Sequence, residues 1–179
     1  MKITMVDGMI KIIQKSKVYV VVVIALFNIG IVGAKMNSTD IWSFIEKASA
    51  AVKVVTVQSV NSFPLSVTLA SENEYVNFYN GENVTLSDLS KIMDIDLRLS
   101  KVSDGMAPFF SFAYSGNCLT LNDIKKRYNE LKLTDYPRGR SENEMTSYTT
   151  PTNKDGQKIT FSFTEKEPNC LNKIIISSE

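Results

Sequence analysis

The sequence of 179 residues contains no histidine, two cysteines and eight glycines. Without histidine it has no Ser-His or Cys-His nucleophile pair and no histidine-bound metal. It also lacks a Gly-rich phosphate loop and the Ser-x-x-Lys and Gly-x-Ser-x-Gly motifs of nucleophilic enzymes. Lysine and arginine (20) nearly balance aspartate and glutamate (19), so nucleic acid is not an expected partner. We therefore expect no catalytic activity, no cofactor and no bound metal.

One long stretch, residues 18–34, carries no charged side chain. A helix rises about 1.5 Å per residue, so this stretch covers most of a bilayer core of about 30 Å. The flank before it, residues 1–17, has one aspartate and four lysines: Lys2, Lys11, Lys15 and Lys17. Positively charged flanks stay in the cytoplasm. We therefore expect a single-pass inner-membrane protein with a cytoplasmic N-terminus and a C-terminal domain in the periplasm.

The fate of this apolar segment has two interpretations. It is either an uncleaved signal anchor or a signal peptide, because Val32-Gly33-Ala34 has the small side chains of a signal-peptidase site. Cleavage after Ala34 would release a secreted periplasmic domain. A buried globular helix is disfavoured because the β-branched run is too long and too apolar. Either interpretation places the rest of the chain outside the cytoplasm.

The two cysteines, Cys118 and Cys170, both lie in the part expected to be exported. In an oxidising compartment they most simply form one disulfide. A catalytic thiol would need a basic partner, and a two-cysteine metal site would need further soft ligands. The sequence therefore predicts a structural Cys118–Cys170 disulfide, which would tie the start of a helix to the end of a sheet.

The chain after the apolar segment predicts an α+β fold. Asp40 can cap an amphipathic connecting helix over residues 35–52, and residues 53–179 then form an antiparallel sheet with two short helices packed on it. Strand patterns cover residues 64–69, 75–79, 109–114, 144–150, 158–164 and 173–177, and Asp155-Gly156 predicts a hairpin turn.

Two segments in this part resemble each other. Thr85-Leu86-Ser87-Asp88-Leu89 matches Thr120-Leu121-Asn122-Asp123-Ile124. Each predicts a helix that begins with a threonine cap and has an aspartate three residues later. The sharper interpretation is an internal repeat, residues 83–116 and 117–177. The alternative is chance similarity between two short capped helices.

The pattern TLxDIxxxY, followed by a loop, a DG hairpin and the strand KITFSF, resembles the α-β-β-β unit of small outer-membrane assembly lipoproteins. The β-lactamase inhibitory proteins contain a similar unit in tandem. The resemblance covers residues 117–177 and, more faintly, residues 83–114. It implies a protein-binding module, as in exported immunity or inhibitor proteins. The chain has no lipobox cysteine after its apolar segment, so the membrane link would be a helix.

These observations predict a membrane-anchored periplasmic module that neutralises a toxic effector, such as one delivered by contact-dependent or type VI secretion. Its partner would be another protein, and candidate contacts are Tyr136, Arg138 and Arg140, because tyrosine and arginine dominate interface energetics. An exposed mobile loop is the competing interpretation of these residues. Lys125, Lys126 and Arg127 predict the solvated face of a helix.

A minor pilin-like or envelope-assembly subunit is the alternative function. An apolar N-terminal helix that runs into an amphipathic one, ahead of a sheet domain with a C-terminal disulfide, is typical of pilins. The residues after Gly8 lack the early glutamate of a mature pilin, and Lys15 and Lys17 precede the apolar run.

Overall fold

The computed structural model describes residues 39–178, which fold as a mostly antiparallel sheet with two α-helices. The α+β expectation is thereby confirmed. All the described residues belong to one compact unit. Its elements are α1 (Ile41–Val52), a 3₁₀ helix (Val60–Ser62), β1 (Val67–Glu72), β2 (Val76–Gly81), β3 (Val84–Thr85), β4 (Lys91–Ser100), β5 (Phe109–Ser115), α2 (Leu121–Arg127), β6 (Lys132–Asp135), β7 (Met145–Thr149), β8 (Gln157–Thr164) and β9 (Lys173–Ser178).

The predicted membrane or signal segment, residues 18–34, and its basic flank lie outside the described residues. Within residues 39–178, no helix is both long enough and apolar enough to cross a bilayer.

The strand order across the sheet is β1-β2-β4-β5-β9-β8-β7-β6, and β3 pairs with the start of β4. Every pairing is antiparallel, and the two halves join where β5 pairs with β9. Each half is a helix followed by a four-stranded meander: α1-β1-β2-β4-β5 and α2-β6-β7-β8-β9. The two halves therefore share one chain order on either side of the β5–β9 pair.

Helix α1 begins at its own N-cap. The carboxylate of Asp40 accepts hydrogen bonds from the backbone N–H groups of Trp42 (2.8 Å) and Ser43 (3.1 Å), as the sequence predicts. The bond from Ser43 is the main reason that the pKa of Asp40 lies below its ordinary value. Phe44 and Ile45 are fully buried, and Phe44 meets Phe112 edge to face with ring centroids 5.1 Å apart. The helix thus packs its apolar stripe on the middle of the sheet.

Helix α2 begins with the predicted capping box. The Oγ1 of Thr120 accepts from the N–H of Asp123 (3.3 Å), and the Asp123 carboxylate accepts from the N–H of Thr120 (3.1 Å). Ile124 is fully buried, and Tyr128, just after the helix, packs on Phe161 with centroids 5.1 Å apart.

The Cys118–Cys170 disulfide is present, with a Cα–Cα distance of 4.9 Å. It joins the segment before α2 to the segment before β9. Beside it, the N–H of Leu171 donates to the carbonyl of Leu119 at 2.8 Å. The prediction that a bridge ties the helix start to the sheet is confirmed.

The prediction of a helix after Thr85 is wrong. Thr85 ends β3, and β4 begins at Lys91. Asp88, expected at the third position of that helix, instead accepts from the N–H (3.1 Å) and hydroxyl (2.6 Å) of Ser90, which closes a turn. Leu89 adopts a left-handed φ of 67° and is 80% exposed. The strand forms because Leu97 and Leu99 alternate into the core.

The three strands predicted after α2, at residues 144–150, 158–164 and 173–177, are preceded by a fourth strand, β6. All four of its side chains are exposed, so its sequence carries no alternation of buried and exposed positions.

Candidate partner-binding surface

The two sides of the sheet differ in what covers them. Both helices pack on the side that carries Phe112 and Phe161. The other side, which we call the open face, bears no helix or strand within residues 39–178. Its side chains alternate with the core residues and are largely hydroxyls that pair across strands. Ser147 lies 2.8 Å from Ser162, and Thr149 lies 2.8 Å from both Thr134 and Thr160.

An arginine stacks between two aromatic rings on the β2-β4-β5 half of the open face. The Arg98 guanidinium lies 4.8 Å from the ring centroid of Phe109 and 5.6 Å from that of Phe78. Asp96 accepts from its Nε (2.9 Å) and from its Nη2 (2.6 Å), and this bond raises the pKa of Arg98. The guanidinium is therefore fixed in one orientation while 42% of its side chain stays exposed.

A buried hydroxyl without a partner lies beside this stack. Ser111 pairs with Asp96 on one side and with Ile175 on the other, and its Oγ makes no hydrogen bond within the described structure. Buried polar atoms are normally satisfied, so this hydroxyl is a donor without an acceptor at the centre of the open face.

The loop between β6 and β7, residues 136–144, folds over the other half of the open face. Tyr136, Arg138 and Arg140 all line one cleft of about 540 Å³. The structure thus brings together the three residues proposed from the sequence. The cleft floor includes Ser147, Ser162 and Ile175, and its remaining lining residues are Asp135, Asn143, Glu144, Met145 and Lys173.

The 136–144 loop is held by the carboxylate of Glu144. This carboxylate accepts from three successive backbone N–H groups, those of Arg138, Gly139 (2.9 Å) and Arg140 (3.1 Å). These bonds, led by the one from Arg138, lower the pKa of Glu144. Gly139 has a φ of +74°, and a Cβ there would meet nothing within 4 Å. Glycine is required by the backbone conformation and not by space.

Three cationic and two anionic side chains line the cleft, which gives it a net charge of 3 − 2 = +1. Arg138, Arg140 and Lys173 form no ion pair within the described residues. By contrast, Glu144 is engaged by backbone N–H groups, and Asp135 accepts from the N–H of Tyr136 (3.0 Å). Tyr136 is 59% exposed, and the Arg138 guanidinium lies 5.9 Å from its ring centroid.

All three residues of the basic cluster on α2 are exposed, as the sequence predicts, and two of them form ion pairs. Lys126 pairs with Asp123 at 2.8 Å. Arg127 pairs with Glu46 of α1 and lies over the Trp42 ring at 5.9 Å. Arg127 therefore links α2 to α1 from an exposed position.

Two further carboxylates form ion pairs. Asp96 holds Arg98, and Glu142 pairs with Lys166 at 3.1 Å. No cluster of three or more His, Cys, Asp or Glu residues suited to a metal ion occurs within residues 39–178.

Sequence reasoning missed Arg98, Phe78, Phe109 and Lys173 as surface residues. The alternation Asp96-Leu97-Arg98-Leu99 was the available signal, because it places Asp96 and Arg98 opposite the apolar face. Nothing local links these residues to Lys173, which reaches the same face through β5 and β9.

Comparisons of this chain with protein families, characterised proteins and solved structures find no match.

Proposed function

We propose that this chain is a membrane-anchored periplasmic protein-binding module that neutralises a secreted antibacterial effector, and that its open face is the recognition surface. The observation that carries the proposal is the Phe78–Arg98–Phe109 stack on a sheet face that no helix or strand within residues 39–178 covers. Arginine and large aromatic side chains, held in place and partly exposed, are typical of the residues that dominate binding energy at protein interfaces.

The extent of the open face also supports a protein partner. The stack lies on β2, β4 and β5, whereas the cleft lies over β7, β8 and β9. A ligand that covered both completely would span six neighbouring strands, β2-β4-β5-β9-β8-β7, each spaced about 4.8 Å from the next. A protein surface fits this extent better than a small molecule does.

The disulfide supports export. Structural disulfides persist in oxidising compartments such as the bacterial periplasm, and the apolar segment at residues 18–34 provides a route there. A tether at the membrane would raise the effective concentration of the module where an effector enters the periplasm.

The pilin-like alternative is less well supported. A pilin outline needs one apolar helix that runs into the amphipathic helix, whereas α1 begins at Ile41 and its N-cap Asp40 has an extended ψ of 167°. A mass measurement that showed cleavage after Gly8 by a prepilin-type peptidase would revive this alternative.

Co-expression tests the proposal. The products of genes adjacent to this one are directed to the periplasm of a bacterial host, with and without the full chain. We expect the full chain to protect against one of them and the Arg98→Glu variant to lose that protection. Lys125→Glu, an equal charge change on α2, is the control that should protect. Absence of protection from every neighbouring product, or full protection by Arg98→Glu, would contradict the proposal.

Folding of the variants is checked before protection is compared. Each must retain the Cys118–Cys170 disulfide and the fluorescence of Trp42, which is the single tryptophan of the chain and lies on α1. A reporter enzyme fused after Ser178 tests the topology, since it should be active only in the periplasm.

A further inference from the structure

We infer that the cleft under the 136–144 loop receives an acidic segment of the partner protein, whose carboxylates bind Arg138, Arg140 and Lys173. This inference rests on the proposed function and names the chemistry of its partner. The cleft of about 540 Å³ is of a size that holds a ligand in many proteins.

The charge of the cleft favours carboxylates. Three cations line it without an ion pair, and both of its acidic side chains already have backbone N–H partners. The lining holds three cations and two carboxylates, so its net charge of 3 − 2 = +1 favours an acidic partner over a basic one. Arginine also presents a planar fork of donors that matches a carboxylate with two hydrogen bonds.

The rest of the lining favours a peptide over a simple anion. Ile175 and Met145 offer apolar contact, and the paired hydroxyls of Ser147 and Ser162 lie between them in the floor. A phosphate ion would use the cations alone and leave this floor empty. A segment with alternating acidic and apolar side chains would use both.

The loop is arranged before any partner binds. The three N–H bonds to Glu144 fix the backbone that carries Arg138 and Arg140, and the left-handed Gly139 lies between them. The two arginines therefore lose little backbone freedom on binding, which reduces the entropic cost of association.

The test uses the full chain in a neutral maltoside detergent and three probes. The first is a short labelled peptide that alternates glutamate and leucine, the second has glutamine in place of glutamate, and the third is inorganic phosphate. Binding is followed by fluorescence anisotropy at low salt and again at about 0.5 M salt, where screening is strong. We expect the glutamate peptide to bind at least about tenfold more tightly than the glutamine peptide and to weaken with salt.

Variants then locate the binding. The double variant Arg138→Gln with Arg140→Gln should bind the glutamate peptide about tenfold more weakly, or weaker still. Arg138→Lys with Arg140→Lys should weaken binding less than the glutamine pair does, because both charges remain although the two-donor fork of arginine is lost. Lys166→Gln is the matched control, since this exposed lysine pairs with Glu142 and does not line the cleft. It should bind the peptide like the unchanged chain.

Several results would overturn the inference. They are equal binding of both peptides, no binding of either, no effect of the double glutamine variant, or complete displacement of the peptide by phosphate at matched ionic strength. The last result would identify a simple anion site. Protection of cells without peptide binding would refute this inference and leave the proposed function intact, whereas peptide binding without protection would refute the proposed function.

Discussion

Removal of the disulfide has a cost that follows from the loop it closes. Cys118 and Cys170 are separated by 52 residues. Closing a loop of this size removes about 14 cal/mol/K of entropy from the unfolded chain, or about 4 kcal/mol at 25 °C. Native domains are stable by about 5–15 kcal/mol. We therefore expect Cys118→Ala with Cys170→Ala to remove a large share of the free energy of unfolding.

The native state should survive this change. The bond from the N–H of Leu171 to the carbonyl of Leu119 holds the same two segments together at 2.8 Å. The capping box of α2 likewise does not depend on the sulfur atoms. The loss of stability is therefore assigned to the unfolded state, which gains conformational freedom when the bridge is removed.

Urea unfolding of the full chain in neutral detergent measures the effect. Trp42 is the single tryptophan, and its ring lies 6.3 Å from that of Tyr128, so its fluorescence reports the docking of α1. The double variant and the reduced unchanged chain should agree with each other and unfold at a lower urea concentration than the oxidised chain. A difference in the free energy of unfolding below about 1 kcal/mol would refute the entropy argument.

Four further substitutions test the fold and the site. Phe112→Ala, at a fully buried position, should lower the free energy of unfolding by about 3–5 kcal/mol in the same urea assay. Thr120→Ala should cost about 1 kcal/mol through loss of the α2 cap, again by urea unfolding. A hydrogen bond from the Lys126 ammonium has the largest effect on the pKa of Asp123, and hydrogen bonds from Thr120 come next; together they lower it from 3.8 to about 2. The ionised Asp123 carboxylate therefore stabilises the fold above pH 3.8. This contribution disappears as the pH falls toward 2. Asp123→Asn should therefore lose stability near neutral pH and show a weaker dependence on pH in that window; an unchanged acid profile would contradict the assignment. Gly139→Ala should cost about 1–2 kcal/mol because alanine disfavours a left-handed φ, and a neutral result would mean that the 136–144 loop is not held as described.

Local signals predicted those parts of the fold that depend on neighbouring residues. Asp40 and Thr120 cap the helices that their positions predict, because a side-chain cap needs only the next three residues. The alternating strand at residues 158–164 is β8, which begins one residue earlier at Gln157. The Cys118–Cys170 disulfide could be predicted because the sequence contains only two cysteines.

The same local reasoning failed at Thr85. Its threonine and the following Asp88 match a cap pattern, yet Leu97 and Leu99 further along can be buried only if the segment pairs with β2 and β5. Long-range burial outweighed a cap that contributes about 1 kcal/mol. The exposed strand β6 had no burial pattern to detect.

The residues of the candidate surface also differ in whether the sequence could predict them. Tyr136, Arg138 and Arg140 could be chosen from composition, since they are close in sequence. Arg98 and Lys173 could not be joined to them, because their shared face results from strands that are distant in the chain.

The order of residues by itself determined the oxidisable cysteine pair, the two capped helix starts and the alternation of the C-terminal strands, since each depends on interactions within a few residues or on a simple count. Only the tertiary structure decided that β5 pairs with β9, that both helices lie on one side of the sheet, and that the other side is left open. Sheet pairing and helix packing are set by which apolar faces can be buried together across the whole chain.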